Sequence, residues 1–297
     1  MIKMDIWKTL KDMSFKFFGR SLEPFVSFFD GIKPDLLKAN IGFSLTEYVY
    51  IMFFTIFLLF ILEFPVIVVI MAILIQDAAI SFLFSFTLTI VIVLAIFFLF
   101  YTYPSLVSGR RKKDIDASLP FAATYMGTIA SSGAPPSTMF RVIAQFNEYG
   151  EVSKEARKIE RDVEVFGMDL VGAIRKTASR TPSEEFKELL WGLDTVLTSG
   201  GNIGSYLHEK SRLFIAEYRR RLQQYSRTLS LLIEIYLTVV LVGSIFFIII
   251  TALMSILGGG GMGNWLSFVQ FIVIFFVLPF VSIGFIILLK SISPSGR

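Results

Sequence analysis

Four stretches of this chain are apolar over the length of a bilayer crossing, and they come in two pairs. Tyr48–Ile75 carries one charge, Glu63, and Ile80–Tyr103 carries none; Leu229–Leu257 carries only Glu234, and Met262–Leu289 carries none. About 20 apolar residues cross the hydrocarbon core as a helix, and a lipid-embedded backbone must satisfy its own hydrogen bonds, so each block is predicted to be a helix. The connectors Gln76–Ala79 and Gly258–Gly261 are too short to hold a domain, which makes each pair a hairpin. Composition agrees: 54% hydrophobic residues, 32 Phe and a mean hydropathy of +0.68 exclude both a water-soluble surface and a disordered chain. The expected fold class is an all-α, polytopic membrane protein with two transmembrane hairpins and a helical bundle.

Basic residues orient it. Residues 1–47 hold 7 Lys and Arg, residues 104–228 hold 19 and residues 290–297 hold 2, accounting for all 28; the hairpin tips hold none. Cytoplasmic segments retain Lys and Arg. Both termini and the 104–228 segment are therefore expected in the cytoplasm. The predicted order is 1–47 cytoplasmic amphipathic helices, 48–103 first hairpin, 104–228 cytoplasmic bundle, 229–289 second hairpin and 290–297 tail. Residues 1–47, with six acids among their seven bases, do not have the layout of a cleavable signal peptide.

The middle segment reads as helices. Val152, Ala156, Ile159, Val163, Phe166 and Leu170 recur at helical spacing on an otherwise charged stretch. Thr181-Pro-Ser-Glu184 reads as a capping box with proline at the first helical position. It opens a helix burying Phe186, Leu189, Leu190, Leu193 and Leu197, closed by Gly200-Gly201. Gly133 with Pro135-Pro136 marks another stop and restart. After Gly204, apolar residues at Leu207, Phe214, Tyr218, Leu222, Tyr225 and Leu229 run without a breaker into the third apolar block, predicting one long helix. Near the N-terminus, Ile2, Ile6, Leu10, Met13 and Phe17 mark one amphipathic face. Leu22, Phe25, Val26 and Phe29 mark a second helix, expected to end near Gly31 and Pro34.

Catalytic chemistry finds little to work with. Zero Cys excludes disulfides, thiolate catalysis and Cys-ligated metals, and His208 is the one histidine. A phosphate-binding loop, H-E-x-x-H, G-x-S-x-G and paired intramembrane aspartates are all missing. The chain is expected to be neither an enzyme nor a cofactor or metal carrier. The rival function is a small-solute or ion transporter using Glu63 and Glu234, since intramembrane acids are costly and often functional. Glu63 precedes Pro65, where a kink is expected; Glu234 sits close enough to the end of its block to snorkel. Of the basic clusters, Arg110, Arg111, Lys112 and Lys113 suit lipid headgroups and topology, while Arg219, Arg220 and Arg221 could meet an acidic protein partner. Nucleic acid is disfavoured because residues 104–228 mix 15 acids with their 19 bases.

The order of features in the middle segment resembles the type II secretion F-domain family, the polytopic platform proteins of type II secretion systems, type IV pili, tight-adherence pili and the archaellum, and is closest to the archaeal branch. The residues that carry it are Tyr103-Pro-Ser-Leu106, Ile115-Asp-Ala-Ser-Leu-Pro120, Ser132-Gly-Ala-Pro-Pro136, Tyr149-Gly-Glu-Val-Ser-Lys-Glu155, Gly167-Met-Asp-Leu170, Thr181-Pro-Ser183, Leu189-Leu-Trp-Gly192, Gly200-Gly-Asn-Ile203 and Tyr206-Leu207. Leu37-Lys-Ala-Asn40 with Glu47-Tyr48 resembles the family's entry into its first span. The resemblance implies a non-enzymatic membrane platform that binds a hexameric secretion ATPase and passes its motion to pilin-like filament subunits. Many relatives carry two F domains, whereas this chain has one. That implies a tight-adherence-like form, completed by a homodimer or a second platform chain, and favours a pilus over an archaellum.

Overall fold

The structure, a computed structural model, describes residues 23–75, 77–257 and 263–292. Every regular element among them is helical. The expected amphipathic face from Ile2 to Phe17, and Leu22 with it, lies outside the described residues. The chain forms two compact units, Met1–Ser211 and Arg212–Arg297.

The first unit begins with α1 (Glu23–Val26), a 3-10 stretch (Ser27–Ile32) and α2 (Lys33–Ala39). Gly31 and Pro34 do not end this run as expected. Pro34 falls in the first turn of α2, where its missing N–H costs nothing, and the stop comes instead at Asn40 in the left-handed conformation, φ 55°. Ile32 and Leu36 pack with Tyr48, Phe29 and Phe100 against the first hairpin. That hairpin is α3 (Leu45–Ile75) and α4 (Ala78–Ser131). Asp77 caps α4, accepting from the N–H groups of Ala79 and Ile80 at 3.0 and 3.1 Å. Phe64 of α3 meets Phe82 and Phe86 of α4 edge-on, and the Tyr48 hydroxyl donates to the Phe100 carbonyl at 2.7 Å. Pro65 lies inside α3, which continues past it to Ile75.

α4 has 54 residues and passes through Pro104 and Pro120 without a break. Its first part is an apolar block and its second part is the central helix of a bundle. Around it fold α5 (Pro136–Gln145), α6 (Glu151–Glu164), α7 (Leu170–Ala178) and α8 (Glu184–Ser199), with α5 paired to α6 and α7 to α8. Ile115, Leu119, Met126, Phe140, Ile159, Ile174, Phe186 and Leu189 form its core.

Local signals account for the ends of these helices, with two corrections. Val152, Ala156 and Ile159 are buried, but α6 stops at Glu164, Gly167 turns the chain at φ 63°, and Phe166 is 67% exposed; Leu170 opens the next helix instead of extending the seam. The cap of α8 is Ser183, two residues later than the expected Thr181. Ser183 Oγ accepts from the Phe186 N–H at 3.1 Å, which leaves Pro182 outside the helix. Gly200 closes α8 in the left-handed conformation, as the sequence indicates. Phe186, Leu189, Leu190 and Leu193 are fully buried, while Leu197 is half-buried.

α9 (Ile203–Tyr236) starts in the first unit and contributes most of its length to the second, where a π-helical stretch (Leu237–Val242) leads into α10 (Gly243–Leu257). In the second hairpin, α11 (Gly263–Ile272), a further π-helical stretch and α12 (Leu278–Ile292) follow. Tyr236 stacks on Phe285 with centroids 4.3 Å apart, and its hydroxyl lies 3.0 Å from Ser282 Oγ. Four helical segments, Leu45–Ile75, Ala78–Ser131, Ile203–Met254 and Phe268–Lys290, are long and apolar enough to cross a membrane. The large side chains they leave exposed, such as Ile73, Phe98 and Phe280, suit lipid. This is a multi-pass membrane protein.

Candidate functional site

Charge in the bundle is organised around one buried arginine. Arg111, on α4, is only 8% exposed. Its Nε donates to Glu151 Oε2 at 2.7 Å, its Nη2 donates to Glu155 Oε1, and its Nη1 donates to the Lys38 carbonyl at the end of α2. Lys154 and Lys158 complete the pattern from α6, at 2.6 Å from Glu151 and 2.9 Å from Glu155. Burial alone would raise the Glu151 carboxyl; hydrogen bonds from Lys154 and Arg111 outweigh it and hold its pKa below the usual range. Arg111 thus ties α2, α4 and α6 together and is not available to a lipid headgroup, which corrects the expectation for the Arg110–Lys113 cluster. A basic run in a sequence does not say which of its side chains turns inward. Arg110, Lys112 and Lys113 are exposed.

Other polar contacts fix the remaining helices. Ser183 Oγ donates to Asp116, joining the start of α8 to α4. Ser118 Oγ donates to the Tyr149 carbonyl at 3.0 Å. Lys176 reaches Asp162 Oδ2 at 2.7 Å, and Arg175 pairs with Asp194 at 3.0 Å. The Tyr206 hydroxyl donates to the Leu189 carbonyl at 3.1 Å over the face of Gly192, where a Cβ would lie 1.9 Å from it. Burial, with the charges of Glu188 and Glu209, pushes the Tyr206 hydroxyl up to about 12. His208 is exposed, its Nε2 3.2 Å from Ser131 Oγ.

The predicted site residues are placed as follows. Arg219, Arg220 and Arg221 lie on α9, all exposed; Arg220 and Arg221 both engage Glu217, the latter at 3.3 Å. Glu63 is half-buried in α3 and Glu234 is exposed in α9. They belong to different units. Among the described residues no group of three or more His, Cys, Asp or Glu could hold a metal ion.

Part of the sequence that forms α4 to α10 has a counterpart among known proteins. The family described as type II secretion system (T2SS), protein F, matches residues 122–251. That segment, less than half of the chain, is similar to the F domain of this family. It takes in the last turns of α4, all of α5 to α9 and the first part of α10. An uncharacterized protein of Methanocaldococcus jannaschii is 25% identical over 134 residues, 45% of this chain and 22% of its own length. A flagella accessory protein J of the same organism is 26% identical over 137 residues, 46% of this chain and 24% of its own. A flagella accessory protein J of Methanococcus voltae is 25% identical over 117 residues, covering 39% and 21%. The stretch in common therefore spans about a quarter or less of the length of these relatives. No solved structure matches the chain.

The F domain gives its motif residues physical roles. Pro135 and Pro136 cap and start α5, Gly150 turns at φ 55° into α6, and Gly192 admits Tyr206. Sequence reasoning missed the role of Arg111 and the Ser183–Asp116 link. The signal was a buried-type spacing, since Arg111, Ile115 and Leu119 share one face of α4 at i, i+4 and i+8.

Proposed function

We propose that the chain is a membrane platform of a type IV pilus-like assembly machine, in the broad class that also serves archaella and type II secretion. In this reading both termini and the bundle face the cytoplasm, a hexameric secretion ATPase docks there, and its motion is passed to pilin-like subunits entering the filament. The role is non-enzymatic. The F-domain match over residues 122–251 carries the reading. The four apolar helices and the 28-to-0 distribution of basic residues support it. Arg219, Arg220 and Arg221 are the proposed ATPase contact, because they form an exposed run of three cations on α9. Arg110, Lys112 and Lys113 face headgroups on the same side. A second copy or a second platform chain completes the assembly.

Deleting the gene and counting filaments per cell tests this reading. Filaments should disappear while pilin-like subunits remain in the membrane, and the full chain supplied in trans should restore them. Normal filament numbers in the deletion strain would refute it.

A further inference from the structure

The position of one end of α6 can be read from its contacts. Ser118 of α4 bonds Tyr149 just before α6, and seven residues earlier on α4 Arg111 meets Glu151 and Glu155. The two helices run antiparallel, so moving forward along α6 means moving back along α4 toward its apolar part. Arg111 is eight residues from Tyr103, about 12 Å of helix. Glu155 to Asp162 returns about 10 Å of that, which brings the end of α6 close to the level of Tyr103, where the apolar block stops. A second route gives the same level. Arg111 donates to the Lys38 carbonyl, and Asn40 follows five residues before α3 begins.

At this level lies a pocket of about 180 Å³. Four cations, Lys158, Arg161, Lys176 and Arg180, line it against two acids, Glu155 and Asp162, with Asn40 and Thr177 between them. Lys158 pairs with Glu155 and Lys176 with Asp162 Oδ2. The other two cations are less engaged. Arg161 lies 5.7 Å over the Phe166 ring and 3.9 Å from Asp162 Oδ1, and Arg180 has no ion pair among the described residues. Asp162 is 2% exposed, and its Oδ1 has no hydrogen-bond partner among the described residues. The pocket thus has surplus positive charge, and the unpaired Asp162 oxygen needs a donor, which a headgroup hydroxyl can supply and a phosphate oxygen cannot. Just beyond it, Val165 and Phe166 are 71% and 67% exposed, an apolar pair beside the cations. Basic side chains next to exposed apolar ones, at the level where a spanning helix leaves the bilayer, match a lipid surface better than water.

We propose that this pocket binds the phosphate-bearing headgroup of an anionic phospholipid, with Arg161 and Arg180 on the phosphate and Val165 and Phe166 in the acyl boundary. The site is separate from the exposed Arg110, Lys112 and Lys113 on α4. It fixes the end of α6, and through Glu155 the Arg111 network, to the membrane surface.

The test uses the full chain in nanodiscs of phosphatidylcholine, with or without a third of the lipid replaced by phosphatidylglycerol, and reads the unfolding midpoint. Phosphatidylglycerol should raise it for the wild type. Arg161→Gln with Arg180→Gln should lose more than half of that gain. Arg161→Lys with Arg180→Lys should keep most of it, which separates loss of charge from loss of fold. Lys187→Gln with Lys210→Gln changes the net charge equally, away from the pocket, and should keep the gain in full. Inorganic phosphate or polyglutamate added to phosphatidylcholine discs should not reproduce it. An unchanged gain in the arginine-to-glutamine variant, an equal loss in the Lys187 and Lys210 variant, or the same gain from phosphate or polyglutamate would overturn the proposal.

Discussion

Gly192 has no room for a side chain, because the Tyr206 ring lies across its Cα with the hydroxyl on the Leu189 carbonyl. Gly192→Ala should lower stability by about 1–3 kcal/mol, read as a thermal midpoint in detergent, and Tyr206→Ala in the same chain should recover part of the loss. A fully additive pair would contradict the contact. Arg111 acts through charge. Removing it leaves Glu155, 2% exposed, with Lys158 alone, so Arg111→Ala should cost up to about 3 kcal/mol. The sign of the pH effect follows from Glu151. Its folded pKa is lowered, so its contribution is present above the ordinary carboxylate pKa, near 4, and is lost as pH falls through the lowered value. Acid should therefore destabilise the wild type more steeply than Arg111→Ala, in thermal scans at matched pH. Glu63 separates platform from transporter. It is half-buried in α3, and in the platform reading Glu63→Gln keeps the shape and polarity of the group. Filament counts should stay normal, and liposomes of wild-type protein should pass no protons. Lost filaments with a proton flux that Glu63→Gln removes would favour the transporter.

At the scale of elements, α8 depends on Ser183 for both its cap and its tie to α4. Ser183→Ala should cost about 1–2 kcal/mol, whereas Thr181→Ala, at the cap position that the sequence motif suggests, should cost less. Chemical denaturation of the two variants decides between them. The difference shows how far local signals carry. Gly200, Pro136 and the apolar faces of α5 and α8 were legible because single residues set them: a left-handed turn, a first-turn proline, a 3.6-residue period. The cap of α8 was not, because Thr181 and Ser183 are chemically equivalent and a residue on another helix, Asp116, distinguishes them. Nor was the end of the α6 seam, since Phe166 continues the spacing while Gly167 turns the chain. The unbroken α4 was hidden by Pro104, which stays in the helix at the point where the apolar block ends.

For the whole molecule, the four spanning helices were legible from apolar length with at most one charge each, and the F-domain resemblance from turn motifs. The charged pocket was not, because it joins Asn40, at the end of α2, to α6 and to the residues of and just after α7, which lie far along the chain. Sidedness is tested by cysteines at Ser132, Ser199 and Gly260 in intact cells. A membrane-impermeant thiol reagent should label only the last, and labelling at Ser132 would invert the topology. The central claim is that this is a platform for a secretion ATPase. Its most direct test is the affinity of the full chain, in nanodiscs, for the hexameric ATPase. Binding should be measurable, should weaken as salt rises because exposed charges are screened over about 10 Å at 0.1 M, and should weaken further when Arg219, Arg220 and Arg221 are all changed to Ala. Failure of the wild-type chain to bind the ATPase at low salt would contradict the account.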